Sequence, residues 1–398
     1  METSLLEKDL EQSPKGCRGV GAVEPERNHG IDLLKVLAIF MVVILHVLGQ
    51  GGVIGATRYP AGSHLMSWWL EIESYGAVNC FAIATGFLMV GRKIKYRRLV
   101  GLWVTVQFYN LAFYLFYQLY QVPGVTLQDV SNFFPVYTGQ FWYFTAYTGL
   151  FLFMPFLNIL IEKLTKKQMY LLLLTGFVLF SFYLCFFGFE PFGMVGGYSV
   201  WWLMYLYFVG ASIAKHKLLR KTPLWGCLIG YVTCVALTFG VRMLLSYAYT
   251  MKAGDLRDLL IVYAQPHINY NAPLMLFGAM FLVVFCLNLP IPKRMGKVLA
   301  LLQPFVFQIY IIHLHPVIWK GVILDRFVSF AKKPWYTLPL WVGGAAAGIF
   351  LFCLAIDVLR HWLFKLGRVY WLIETAANKG NGLYLKSKLK KKVDRYFE

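Results

Sequence analysis

The 398-residue chain is 59% hydrophobic, 18% aromatic and only 14% charged, whereas charged residues make up about a quarter of an ordinary soluble domain. That balance excludes a water-soluble enzyme and leaves an all-α polytopic membrane protein, since β-barrel alternation is absent. The formal net charge of +19 comes without any nucleic-acid recognition module, so it argues for topology and lipid contact and against a nucleic-acid partner.

Residues 1–30 mix acids and bases with Pro and Gly. They read as a flexible cytoplasmic tail, too long and too acidic for a secretory leader. Ten apolar runs follow, each near the roughly 20 residues that cross the hydrocarbon core as a helix. They are Ile31 to Leu48, Tyr75 to Val90, Leu99 to Tyr120, Phe141 to Ile161 and Met169 to Phe187, then Ser199 to Ile213, Leu224 to Tyr247, Ala272 to Leu289, Val298 to Leu324 and Leu338 to Leu359. The loops are short and no internal repeat is visible, so residues 31–360 form one transmembrane domain and residues 361–398 a basic cytoplasmic tail.

Lys and Arg in alternate loops set the orientation, because positive loops stay cytoplasmic. Fifteen of them follow the even-numbered spans, as in Arg92 to Arg98 and Lys293 to Lys297, against six on the opposite side. Both termini are therefore expected inside. The C-terminal cluster from Lys386 to Lys392 is suited to anionic lipid head groups.

Of the seven cysteines, Cys17 lies in the tail and the others fall within spans. Neither a disulfide nor a metal site is expected.

Ionisable residues inside a span cost about 2.5 kcal/mol or more and tend to face a cavity. The first span has Asp32, Lys35 and His46. At about 100° per residue, Lys35 and His46 return to within about 20° of one face, and Asp32 lies about 40° from His46. The rise from Lys35 to His46 is about 16 Å, which resembles the reach of a pantetheine arm. One helix thus holds a cation near one membrane surface and a base deeper in. Against this, Asp32 and Lys35 also suit an ordinary boundary pair, and His46 a capped core residue.

The ninth span supplies a second imidazole, His313, at a depth similar to His46, while His315 should point to another side. Pro304 and Pro316 interrupt that span, and such kinks border cavities. Arg242, near one end of the seventh span, is expected to snorkel to the outer interface or else to meet an acceptor phosphate or carboxylate. The small residues from Gly343 to Gly348 suit close helix packing.

The stretch RNHGIDLLKVLAIFMVVILH, Arg27 to His46, resembles the opening signature of the integral-membrane acyltransferase-3 family, in which a cation precedes a His with ten residues between. FAIATGF at Phe81 to Phe87, FWYFTAYTGLFLFMP at Phe141 to Pro155 and YIIH at Tyr310 to His313 resemble later signatures of the same family. Lys35 stands where Arg is more usual, which replaces a bidentate fork by a point charge, and Thr85 stands in place of a Ser.

The resemblance implies O-acyl transfer, with acetyl-CoA as donor co-substrate, an envelope glycan or lipid-linked saccharide as acceptor, and no metal. It implies a multi-pass protein of the bacterial plasma membrane, of the branch without a fused extracytoplasmic domain. His46, with Asp32 in support, would be catalytic. Lys35 and Arg27 would bind the donor, and His313, Tyr310 and Trp142 would line the acceptor side. Whether His46 acts as a base or first takes the acyl group is open. The rival reading is a transporter or flippase of a lipid-linked glycan, since buried charges also line translocation paths.

Overall fold

Asn28 starts the first helix: its side-chain Oδ1 accepts from the amides of Gly30 at 2.9 Å and Ile31 at 3.3 Å, taking up donors that a helix N-terminus leaves orphaned. Helix α1 then runs His29–Leu48. The computed structural model describes residues 27–386; the expected N-terminal tail up to residue 26, Cys17 and the basic cluster beyond Lys386 lie outside the described residues.

The remaining helices are α2 (Gly62–Tyr75), α3 (Ala77–Met89), α4 (Arg97–Tyr120), α5 (Trp142–Lys163), α6 (Lys166–Phe177), α7 (Val200–Lys215) and α8 (Leu224–Ala248). They continue with α9 (Asp255–Ala264), α10 (Pro273–Asn288), α11 (Lys293–Leu302), α12 (Val306–Leu314), α13 (Leu338–Leu366) and α14 (Val369–Lys386). Among the described residues there is no strand. Nine helical stretches there are long and apolar enough to cross a membrane, and α7, at 16 residues, is apolar but shorter. The chain is thus a polytopic helical membrane protein.

Helix α1 is the axis of the bundle. It packs against α2, α3, α10, α11, α12 and α13, so side chains from six other helices surround its polar residues. The most extensive pairing, α3 with α7, depends on two glycines. A Cβ on Gly86 would meet the backbone of Tyr207, and one on Gly210 the backbone of Ile83, so each helix lends the other a notch for close approach. Gly86 belongs to the FAIATGF stretch, which explains its glycine structurally. Gly343, Gly344 and Gly348 correct an expectation: nothing lies within 4 Å of a Cβ built on them, and they make no tight crossing.

The expected ninth span is broken at both prolines. Helix α11 passes through a 3-10 turn at Gln303–Phe305 into α12. At His315 the backbone extends to φ −63°, ψ 135°, and a turn of π-helix follows at Trp319–Ile323. Proline removes a ladder donor and crowds the preceding residue, which ends α12 one turn after Tyr310.

Three helices were not anticipated. Helix α2 precedes the expected second span, α9 the eighth, and α14 lies within the expected basic tail. A buried charged cluster fastens α14 to the bundle: Arg360 donates to both carboxylate oxygens of Asp357 at 2.6 and 3.0 Å and to the Tyr370 hydroxyl at 2.7 Å. The Tyr109 hydroxyl of α4 also donates to Asp357. Both charges are enclosed, at 0% and 4% exposure, and every partner is polar.

Gly86→Ala should lower the melting temperature of the detergent-purified protein, by the equivalent of about 1–3 kcal/mol for overpacking a closed contact. Gly343→Ala should leave it unchanged. Equal melting temperatures for both variants and the wild type would remove the notch from the account.

Candidate functional site

The two ends of α1 carry different chemistry. At its start Asp32 accepts from Arg27 at 2.8 and 3.2 Å and from the ring of His29 at 3.1 Å. Asp32 is therefore committed to this end, about 21 Å of helix rise from His46, and does not touch that ring. Lys35 makes no ion pair within 4 Å among the described residues; it stands in the fields of Asp32, Arg27, Arg98 and Arg92. Among the described residues, three arginines, a lysine and Asp32 thus gather at this end of α1, a basin rich in positive charge.

At the other end, His46 Nδ1 lies 2.9 Å from His313 Nε2, and His313 Nδ1 lies 2.6 Å from the carbonyl oxygen of Ile309. A carbonyl only accepts, so His313 carries its proton on Nδ1 and its Nε2 must accept. His46 therefore donates through Nδ1. That leaves His46 Nε2 with a free lone pair and no hydrogen-bond partner among the described residues. An oriented imidazole with its second nitrogen open has the arrangement a general base requires, and the His313 acceptor would support the imidazolium formed on taking a proton. The last turn of α1 holds His46, and the negative helix end adds to that support.

Trp319, on the π turn, packs edge-on against His46 with ring centroids 5.1 Å apart at 76°. The turn is held from outside by Lys320, whose ammonium reaches Asp129 at 2.7 Å, while the amide and hydroxyl of Thr126 bind the same carboxylate oxygen at 2.7 and 2.8 Å. Desolvation raises the pKa of Asp129, but the hydrogen bonds from Lys320 and Thr126 outweigh it and hold the carboxyl below its usual range.

Tyr310 and His313 share one face of α12, their rings 6.2 Å apart. The Tyr310 hydroxyl accepts from the Tyr143 amide at 3.2 Å. Tyr143 continues to Tyr147 through stacked rings at 6.3 Å, and Tyr147 lies in the field of Arg98, as does Lys35. A row of hydroxyl-bearing rings thus runs from the positive basin to the histidine pair. Lys35, His46, Tyr143 and Tyr147 all lie deep among the helices, yet each keeps accessible side-chain surface. Trp142 stands one ring further off, 5.6 Å from Tyr143, and does not reach His46. A crevice lined by Ile72, Gly76, Tyr231 and Gly278 lies elsewhere.

The structure therefore joins His46, His313 and Tyr310, sets Lys35, Arg27 and Asp32 together at the opposite end, and places Trp142 between them and a second aromatic group. His315 turns away, accepting from the Val317 amide and stacking on Phe113 at 4.4 Å. Trp319, Tyr143 and Tyr147 are additions that the sequence reading did not single out. Among the described residues no three His, Cys, Asp or Glu converge as for a metal, and the six described cysteines are free.

A helical membrane bundle that holds an oriented, open-faced imidazole on its central helix has a group suited to the proton transfers of a membrane-embedded group-transfer enzyme. The family model described as an acyltransferase domain matches residues 28–358, and the chain belongs to that acyltransferase-3 family; it is a membrane acyltransferase. No curated protein and no solved structure matches it.

The carboxyl of Asp129 is depressed, so its tether contributes stability above the ordinary Asp value of about 3.9 and loses it as pH falls further, through the folded value. Hydrogen exchange over Trp319–Ile323, corrected for intrinsic rates, should quicken below that pH in the wild type and be fast already at pH 7 in Asp129→Asn. Slow exchange in the variant at neutral pH would detach Asp129 from the Trp319 turn.

Proposed function

We propose that this chain is an O-acyltransferase of the bacterial plasma membrane that moves an acetyl group from cytoplasmic acetyl-CoA to a hydroxyl of a cell-envelope glycan. The observation that carries the reading is the Ile309–His313–His46 chain of hydrogen bonds, which leaves one imidazole nitrogen open about 16 Å of helix rise from a basin of positive charge. The excess of Lys and Arg on the Lys35 side supports a cytoplasmic position for that basin, with both termini inside.

The phosphates of the donor would sit among Lys35, Arg27, Arg92 and Arg98, where a polyanion compensates the clustered cations. Arg27 is presented by its bidentate contact with Asp32, which gives Asp32 a positioning role at the donor end. The pantetheine arm would follow the Tyr147–Tyr143–Tyr310 row and deliver its thioester to His46.

His46 Nε2 takes the proton of the acceptor hydroxyl as that oxygen attacks the thioester carbonyl carbon. When the tetrahedral centre collapses, the carbon–sulfur bond breaks, and the CoA thiolate takes a proton from the His46 imidazolium. The products are an acetyl ester and free CoA, and the histidine returns to its starting state. The Tyr310 hydroxyl and the ring of Trp319 bound the space where the carbonyl turns over.

His46→Ala should lower acetyl transfer by about 10²–10⁴-fold, the usual worth of a general base, with expression and melting temperature retained. Lys35→Ala should chiefly raise the KM for acetyl-CoA. The assay is the incorporation of radiolabelled acetyl from acetyl-CoA into envelope glycan by membranes that carry each variant. Full incorporation with His46→Ala would overturn the mechanism, and a glycan moved across the membrane without any gain in mass would favour a carrier.

His313→Leu removes the acceptor that sets the His46 tautomer. It should cost at least about tenfold in kcat with little change in the KM for acetyl-CoA, since the donor basin is remote; an unchanged kcat would dismiss the relay.

A further inference from the structure

Four buried side-chain atoms without a hydrogen-bond partner gather on three residues: Trp68 Nε1, Glu71 Oε2, and Nε and Nη1 of Arg242. An orphaned buried polar group costs about 1–3 kcal/mol, more when it is charged, so four of them on one face of α2 and the arginine against it signal a missing partner. The guanidinium of Arg242 is turned toward α2. It lies across the indole of Trp68, 3.7 Å from the ring centroid, and no carboxylate comes within 4 Å of it among the described residues.

We propose that the face of α2 bearing Trp68 and Glu71, together with Arg242 of α8, is the binding site for the acceptor saccharide, and that the acceptor carries an anionic group, phosphate or carboxylate, beside a sugar ring. This assignment rests on the acyltransferase reading and names its acceptor side.

Each atom of the set has a place in such a ligand. The indole offers an apolar face for sugar C–H bonds and an N–H for a ring or hydroxyl oxygen. The Glu71 carboxyl accepts from sugar hydroxyls. The open Nε and Nη1 of Arg242 lie on different edges of the guanidinium, so one can donate to an oxygen of the anion and the other to a neighbouring sugar oxygen.

A surplus of positive charge supports the anion. The ring of His64, one turn before Trp68, stands in the fields of Arg242 and Arg58, and is itself occupied by Thr57 Oγ1 at 3.2 Å and Ser246 Oγ at 3.1 Å. Glu71, the one carboxyl of the set, acts on Tyr75 and Tyr270 and not on Arg242.

The site also leads to the base. The rings of Tyr75 and Tyr270 are 4.7 Å apart, Tyr270 stacks on Trp142 at 5.9 Å, and Trp142 meets Tyr143 at 5.6 Å. Tyr143 contacts Tyr310 at 6.0 Å, beside His313. Asn79 holds this row in place, donating to the Tyr270 carbonyl at 2.8 Å and accepting from Trp202 Nε1 at 3.0 Å. Helix α2 begins thirteen residues after α1 ends, so it enters the bundle at the His46 end, opposite the donor basin. Donor and acceptor would thus arrive from the two membrane faces.

The test uses the full-length protein purified in detergent micelles. N-acetylglucosamine 1-phosphate or glucuronic acid should raise its melting temperature more than neutral N-acetylglucosamine does, and which of the two acts identifies phosphate or carboxylate as the anion. The difference should vanish in Arg242→Gln and shrink in Trp68→Ala. In membranes supplied with radiolabelled acetyl-CoA, both variants should cut glycan labelling at least tenfold while acetyl-CoA still raises the melting temperature as in the wild type. Arg242→Lys, which keeps the charge and loses the planar group stacked on Trp68 with its two open N–H edges, stands in if Arg242→Gln does not fold, and should show the same loss.

If neither anionic sugar acts more strongly than the neutral one in the wild type, or the preference survives in both arginine variants, the proposal is overturned. A wild-type chain that labels no glycan would sink the acetyl-transfer reading instead, and the melting-temperature comparison would still decide whether this anionic subsite exists.

Discussion

A single backbone carbonyl fixes the chemistry of this bundle. Ile309 lies four residues before His313 on α12, and by accepting from His313 Nδ1 at 2.6 Å it determines which nitrogen of each imidazole carries a proton. Without that anchor the two rings would exchange tautomers, and the open lone pair would spend part of its time turned away from the internal space. With it, two neutral side chains in a low-dielectric interior acquire direction at no cost in buried charge.

The remaining architecture keeps that pair in register. Helix α1 carries His46, and six helices close around it. The breaks at Pro304 and Pro316 free the short helix α12 to set His313 against α1, and the following π turn brings Trp319 to the other edge of the imidazole. Single π turns commonly mark places where a helix is bent to serve a site. The Lys320–Asp129 pair then ties this turn to the loop before α5, whose first residues supply Trp142 and Tyr143. A few contacts outside the hydrophobic interior thus govern the position of groups well inside it.

Much of this was legible in the chain. The first helix begins two residues before the expected Ile31 and ends at Leu48 as expected, because a largely apolar run between Asn28 and the glycine-rich stretch that starts at Gly49 leaves little room for another solution. The shared face of Lys35 and His46 and the depth of His313 follow from helical geometry alone. Helix α2 was hidden by its own composition. Its polar residues His64, Ser67, Glu71 and Ser74 depress the hydropathy, although their spacing of three and four is that of a stripe turned inward. Trp68 and Arg242 are far apart in the chain; they meet only because α2 and α8 pack together, and no local pattern predicts that. Trp319 was obscured likewise, since a π turn has no period by which to read it. The small residues at 343–348 misled for the converse reason: the composition suits close packing, but whether a neighbour arrives is a tertiary matter.

The Asp357–Arg360 pair bears on how the end of the chain behaves. Its charges are enclosed, and one of the two partners outside α13 that satisfies them, Tyr370, belongs to α14. A segment that reads as a disposable basic appendage is therefore wired into the interior, and severing it just after Leu366 would strip the guanidinium of an acceptor where water cannot easily replace it. Damage near the C-terminus would be felt through Tyr109 along α4, so this last helix acts as a closing bolt for the bundle.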